Sequence, residues 1–159
     1  MPSICFVCLG NICRSPTAEG VFKQLIKTHG LNEQFFVDSA GTSAYHVGEA
    51  ADPRSRAVAQ EYGYSLTSRS RQVQKRDFQD FDLIVAMDRS NLKSLNEMSP
   101  ANARATVALC RDFDSSSPPN SDVPDPYYGG EDGFLTVLQI CERSSKGILA
   151  HFYPDLNFN

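Results

Sequence analysis

The segment Cys8-Leu9-Gly10-Asn11-Ile12-Cys13-Arg14-Ser15 places a thiol, a glycine-containing turn and a guanidinium within one short stretch. It follows an apolar run, Ser3 to Leu9, and precedes a helical pattern, so it reads as the turn between a strand and a helix. Backbone N–H groups gathered at a helix N-terminus form an anion cradle, reinforced by the positive end of the helix dipole. Gly10 and Asn11 are residue types that tolerate the backbone such a turn requires. Arg14 supplies a planar fork that matches two phosphate oxygens. Cys8, at the strand end, would place its sulfur at the centre of the cradle. The field that attracts an oxyanion also favours a thiolate there, and Ser15 can donate a hydrogen bond to it. Nucleophile, oxyanion cradle and charge clamp thus sit in one loop, an arrangement suited to attack on a phosphate ester.

Such an attack needs an acid for the leaving oxygen. Asp125 fits, because it lies in a polar loop, Val123-Pro124-Asp125-Pro126-Tyr127-Tyr128-Gly129, with a proline on each side to stiffen its backbone. The segment from Asp112 to Gly130 is long for a connection without structure of its own, which is itself a mark of function.

The rest of the chain has to position these two loops. Apolar runs at Ser3–Leu9, Phe35–Val37, Phe81–Met87 and Ala105–Cys110 read as strands. Between them lie helical patterns. One starts at Ser15-Pro16, with Ser15 as cap, and ends at Gly30. Others run from a cap at Asp52 to about Gly63, after a cap at Asp88, and from about Asp132 to Ala150. Alternating strands and helices predict an α/β fold, a single doubly wound domain over residues 1–159 with a central four-stranded parallel sheet flanked by helices on both faces. Ligands bind beyond the carboxyl ends of the strands in such folds, where both suspect loops fall.

The chain has 159 residues, 41% of them hydrophobic and 21% charged, and a formal net charge of −4. That balance is ordinary for one globular domain and implies neither nucleic-acid binding nor attraction to a membrane surface. No apolar run reaches the roughly 20 residues of a membrane span, and Met1-Pro2-Ser3 lacks the basic start of a secretory signal. The expectation is a cytoplasmic protein, monomeric or weakly dimeric. Five cysteines, Cys5, Cys8, Cys13, Cys110 and Cys141, fit free thiols better than a disulfide framework. Cys5, Cys110 and Cys141 fall on apolar faces and read as core. Cys5 and Cys8 form a Cys-x-x-Cys, but inside a strand rather than at a helix start, which excludes a thioredoxin-type pair. His29, His46 and His151 have no partners at metal-ligand spacing. Arg69, Arg71, Lys75 and Arg76 read as a solvated basic face.

These residues resemble the low-molecular-weight protein tyrosine phosphatases. The resemblance covers nearly the whole chain: the Cys8–Ser15 loop, Val37-Asp38-Ser39-Ala40-Gly41-Thr42, Asp52-Pro53-Arg54, Met87-Asp88 and Asp125-Pro126-Tyr127-Tyr128. It implies Cys8 as nucleophile, Arg14 as phosphate clamp, and Asp125 as general acid and then base. It also implies Asn11, Ser15 and Ser39 as supports of the loop, and Ile12, Tyr45, Tyr127 and Tyr128 as walls that receive an aromatic ring. Leu9, Gly10 and Cys13 complete the cradle. No cofactor or metal is implied, because Arg14 and the nest supply the positive charge. Phosphotyrosine-containing proteins are the implied partners, with inorganic phosphate and other oxyanions as inhibitors. Many members carry a histidine where Ser68 stands here, so Ser68 is expected to keep part of that supporting network at a modest cost in rate. Cys13 is either a loop residue packed under the nest or a partner that traps oxidised Cys8 as a disulfide, and the resemblance favours the second. On the same scaffold, an arsenate reductase would need further cysteines after the third strand, and Ala86 to Ser99 contains none. A phosphoarginine phosphatase would carry a smaller polar residue than Ile12. A non-catalytic phosphotyrosine- or oxyanion-binding module would lack the nucleophile or the acid.

Overall fold

The computed structural model describes residues 1–127 and 129–158. Four parallel strands form one sheet in the order β2-β1-β3-β4: β1 (Ser3–Cys8), β2 (Phe36–Gly41), β3 (Leu83–Ala86) and β4 (Thr106–Leu109). Among the described residues five helices connect and cover them: α1 (Arg14–Thr28), α2 (Pro53–Glu61), α3 (Asp77–Asp80), α4 (Arg89–Met98) and α5 (Glu131–Phe152), with a 3₁₀ turn at Cys110–Phe113. The expected α/β sheet of four strands is therefore present, with a core on each face. Successive side chains of a strand alternate between faces. In β1, Ile4, Phe6 and Cys8 join the core formed with α1 and α5, whereas Cys5 and Val7 join the core formed with Phe78, Phe81 and Leu95. Every residue of β1 is buried, as an interior strand covered on both sides requires. Among the described residues, no helix is long and apolar enough to cross a membrane.

Three local features differ from the sequence expectation, each for a tertiary reason. β2 continues through Asp38-Ser39-Ala40-Gly41, beyond the apolar run Phe35–Val37. It continues because β1 pairs with it as far as Cys8 opposite Gly41, and because its polar side chains find partners: Asp38 pairs with Arg71 and Ser39 with Glu19. Ser15 does not cap α1. The helix starts at Arg14 after Cys13 and has no side-chain cap, because the Ser15 hydroxyl is turned to Cys8 Sγ, 3.1 Å away. Arg71 is not part of a solvated face either: its guanidinium bridges Asp38 and Asp77 and thereby ties β2 to α3.

The other caps hold as read. Asp52 accepts from Arg54 N at the start of α2, and Asp88 forms a capping box with Asn91 at the start of α4. Gly30 and Gly63, just beyond α1 and α2, have φ of 68° and 90°, the left-handed geometry that ends a helix.

Candidate active site

The loop between β1 and α1 folds around the sulfur of Cys8. Asn11 takes φ of 56°, which turns its N–H inward to donate to Cys8 Sγ at 3.3 Å. Gly10 does not have positive φ. Its lack of a side chain serves space instead, since a Cβ there would stand 2.9 Å from His46 Cδ2. From the far side the loop rests on the end of β2 and the segment after it. Thr42 N donates to Cys8 O and Ser43 N to Leu9 O, both at 2.9 Å. Asp52 N donates to Ile12 O at 2.8 Å, and Ser70 Oγ to Gly10 O at 3.0 Å. The loop's carbonyls are thus bound outward, away from the cradle.

A buried hydrogen-bond chain sets the polarity at the sulfur. Arg71 N donates to Asn11 Oδ1, so the two amide hydrogens of Asn11 go to Ser15 Oγ at 2.7 Å and Ser39 Oγ at 3.0 Å. Ser39 in turn donates to Glu19 Oε1 at 2.5 Å. An ionised carboxylate only accepts, so the direction of the whole chain is fixed. It leaves the Ser15 proton for Cys8 Sγ, the alternative acceptor Ala40 O being 3.5 Å away.

Glu19 was missed by sequence reading, and Ser68 is not where the support lies. Ser68 borders a cavity of only about 10 Å³ beside Pro16, Glu19 and Lys23 and makes no hydrogen bond to Asn11 or Ser39 among the described residues. Glu19 makes the contact instead, accepting from Ser39 Oγ. The signal for Glu19 was faint: an acidic residue one turn before Lys23, with which it pairs, looks like an ordinary helix-surface ion pair.

Arg14 is 3% exposed and held on one edge. Nη1 donates to Asp88 Oδ2 at 2.7 Å and to Val123 O at 2.9 Å. Nη2 lies 3.7 Å from Asp125 Oδ2. Burial alone would lower its pKa, but the neighbouring Cys8 and Asp88 outweigh that and hold it above its ordinary value. Asp88 thus serves two ends of the fold, Oδ1 capping α4 through Asn91 N and Oδ2 orienting Arg14. Asp125 also accepts from Tyr127 N, through Oδ1 at 3.0 Å, and its side chain is 40% exposed. Its loop is fastened upstream by Val123 N to Met87 O at 2.8 Å, at the carboxyl end of β3.

Cys8, Arg14 and Asp125 face a common cavity of about 480 Å³, lined also by Leu9, Gly10, Ile12, Cys13, Ser43, Tyr45, His46 and Tyr127. Ile12 is buried in its lining, while Tyr45 is exposed on the rim. His46 stands between loop and rim, its ring 6.3 Å from that of Tyr127. Tyr128, expected in the wall, lies outside the described residues. Cys13 packs with Ile12 and Phe134. Burial, reinforced by Asp52, pushes its thiol up to about 12, against an opposing hydrogen bond with Ser55. All five cysteines are free, and Cys5, Cys110 and Cys141 are core. A larger cleft of about 600 Å³ between α1 and α5 is bordered by Tyr64, Glu142, Arg143 and Lys146. Neither a thiol nor an anion cradle borders it.

Known proteins resemble this chain along most of its length. The family model of the low molecular weight phosphotyrosine protein phosphatases matches residues 3–156. A low molecular weight protein-tyrosine-phosphatase of Streptomyces coelicolor is 46% identical over 149 residues, which cover 92% of this chain and 91% of that one. The human low molecular weight phosphotyrosine protein phosphatase is 40% identical over 149 residues, covering 92% and 93%. The crystal structure of a protein tyrosine phosphatase from Entamoeba histolytica, with Hepes in its active site, superposes with a TM-score of 0.91 at 43% identity. It covers 98% of this chain and all of its own. The match spans nearly the whole chain, and the chain belongs to the low molecular weight phosphotyrosine protein phosphatases.

Proposed function

We propose that this protein hydrolyses phosphotyrosine in proteins through a cysteinyl-phosphate intermediate. The observation that carries the reading is the convergence of Cys8, Arg14 and Asp125 on one cavity, although 111 positions separate the last two. In the first step Cys8 Sγ forms a bond to phosphorus as the bond to the phenolic oxygen breaks. Asp125 gives that oxygen its proton, and Arg14 with the loop N–H groups carries the charge of the transferring phosphoryl group. In the second step Asp125 takes a proton from water, the water oxygen bonds to phosphorus, and phosphate leaves with Cys8 again a thiolate. Ser15 donates to the sulfur in both steps and makes it a better leaving group in the second.

The depth of the cradle below Ile12 and the rings of Tyr45 and Tyr127 favours an aryl phosphate. Phosphoserine has a shorter reach to Cys8, and phosphoarginine offers no ring for the methyl groups of Ile12 to pack on. Two further readings belong here: a cytoplasmic setting, consistent with five free thiols, and reversible capture of oxidised Cys8 by Cys13 as a disulfide. The high thiol pKa of Cys13 keeps it protonated at neutral pH, so such capture would be slower than by a thiolate.

The deciding experiment is hydrolysis of p-nitrophenyl phosphate without added metal, wild type against Cys8→Ser, then matched phosphotyrosine, phosphoserine and phosphoarginine peptides. Activity lost in the variant, with phosphotyrosine preferred, is the expected outcome. Full activity in Cys8→Ser, or equal rates on the three peptides, would overturn the assignment.

A further inference from the structure

Asp125 is carried by a segment that lacks regular structure, and its position has to be set from both ends. Upstream the setting is plain, because Val123 is bonded to Met87 and Arg14. Downstream, Tyr127 N donates to the Asp125 carboxylate, so whatever holds the Tyr127 peptide holds the acid. The structure answers with a residue from a different element. Arg54, in the first turn of α2, donates through Nη1 to Tyr127 O at 3.2 Å. Its guanidinium carbon also lies 5.3 Å from the centre of the Tyr127 ring and 4.7 Å from that of Phe134.

Arg54 is itself fixed. Nε and Nη2 form a fork onto the Asp52 carboxylate at 3.0 and 2.9 Å, while Phe134, 3% exposed on α5, underlies the plane. Asp52 completes the link, for its N–H donates to Ile12 O in the phosphate-binding loop. Asp52-Pro53-Arg54 therefore spans from the loop that cradles the phosphoryl group to the loop that bears the acid. Only a guanidinium satisfies all of this: two nitrogens for the carboxylate, the third for a carbonyl, and a flat face for an aromatic ring. An ammonium would keep the charge and lose the fork and the stacking.

We infer that Arg54 is a positioning residue for the general acid, acting through Tyr127 to hold Asp125 at the height of the leaving-group oxygen above the Cys8 loop. The inference rests on the proposed role of Asp125, and the two are separable by experiment. A residue that merely stabilised the start of α2 would affect all substrates alike once the protein is folded. A residue that places the acid affects a substrate in proportion to its leaving group's need for a proton.

The test measures kcat/KM on two aryl phosphates. The leaving group of 2,4-dinitrophenyl phosphate needs no proton, and that of phenyl phosphate does. Proteins are wild type, Arg54→Ala, Arg54→Gln, Arg54→Lys, Asp125→Asn and the Arg54→Ala/Asp125→Asn double variant, each checked for folding by its melting curve. General-acid catalysis spans about two to four orders of magnitude, so a displaced rather than absent acid is expected to lower kcat/KM for phenyl phosphate by roughly tenfold. The dinitrophenyl ester should change by less than about twofold. Arg54→Lys should retain most of the defect. In the Asp125→Asn background, Arg54→Ala should add less than about twofold, because its effect passes through the missing acid.

An equal fall on both substrates, or a full additional loss in the double variant, overturns the inference. If Asp125→Asn itself fails to discriminate the two esters, the acid assignment falls. If Asp125→Asn discriminates and Arg54→Ala and Arg54→Gln do not, the acid stands and Arg54 has no part in placing it.

Discussion

Gly41 closes β2 directly beneath the phosphate-binding loop, and replacing it with alanine should damage catalysis although the residue touches no substrate. A Cβ at this position would stand 2.8 Å from Leu9 O, 3.2 Å from Asn11 N and 3.2 Å from Gly10 C. All three are backbone atoms of the loop that surrounds Cys8, so no side chain can swing away. Gly41 cannot withdraw either. Its N–H donates to Arg71 O and its carbonyl accepts from Val73 N, both at 2.8 Å, and Thr42 is bonded to Cys8 O. Its φ lies outside the left-handed region, so the penalty is one of space rather than of backbone strain.

Relief requires the loop to rise by about half an ångström, an overpacking that costs roughly 1–3 kcal/mol. At this chain length that lowers Tm by about 2–4 °C per kcal/mol. Asn11 N already sits 3.3 Å from Cys8 Sγ, and the rise would carry it off the sulfur. A full 1 Å misplacement at a reacting centre costs on the order of 100-fold in rate, so about tenfold is expected here. The assay is kcat/KM for p-nitrophenyl phosphate well below Tm, with the competitive constant for inorganic phosphate as the measure of cradle integrity. Both should worsen together. A Gly41→Ala protein with wild-type kinetics, whatever its Tm, would mean that the loop is not seated on β2 and would refute the reasoning.

Four other perturbations test stability or catalysis. Gly147→Ala on α5 would set a Cβ 1.8 Å from Phe113 O, so about 3 kcal/mol or more of stability should be lost in denaturant unfolding, with the folded fraction keeping its kinetic constants. Glu19→Gln loses a hydrogen bond to a charged group, worth about 1.5–3 kcal/mol, and frees Ser39 and Asn11 to reorient. Melting temperature and kcat should fall together, while Ser68→His should change kcat by less than about tenfold, since Glu19 already anchors the chain. Asp114 is fully enclosed. Burial raises its pKa, but hydrogen bonds from Ser117, the Ser116 N–H and Arg143 overcome this and hold the carboxyl below its ordinary value. Its stabilisation is therefore complete above the unfolded carboxyl pKa of about 3.9 and is lost as pH falls through the lower folded value. Melting curves recorded from pH 6 downward should fall more steeply near the acid end in wild type than in Asp114→Asn, and parallel curves would exclude the contribution.

The part of the site that could be read from the chain is the part built locally. Between Cys8 and Ser15 the proposed nucleophile, cradle and clamp are neighbours in sequence, and the strand-to-helix context that gives them meaning is visible in the same window. Asp125 was legible for a second reason: a proline on each side and an overlong polar segment have no economical structural explanation.

The residues that escaped notice are those with a complete local explanation. Asp88 was correctly read as a helix cap, yet a cap uses one carboxylate oxygen, and the other orients Arg14 from 74 positions away. Glu19, one turn before Lys23, pairs with it through one oxygen, and its second oxygen terminates the chain that polarises Ser15. Arg71 looked solvated because its neighbours in sequence are basic, whereas its acidic partners come from β2 and α3. Gly41 lies beyond the apolar run Phe35–Val37, and the strand reaches it only because β1 lies beside it. In each case the second role is carried by an atom that the first leaves free, a remaining carboxylate oxygen, a backbone N–H or an absent Cβ. Local pattern accounts for residues, while the site is assembled from such leftover atoms, and these acquire partners only when the sheet and its helices have come together.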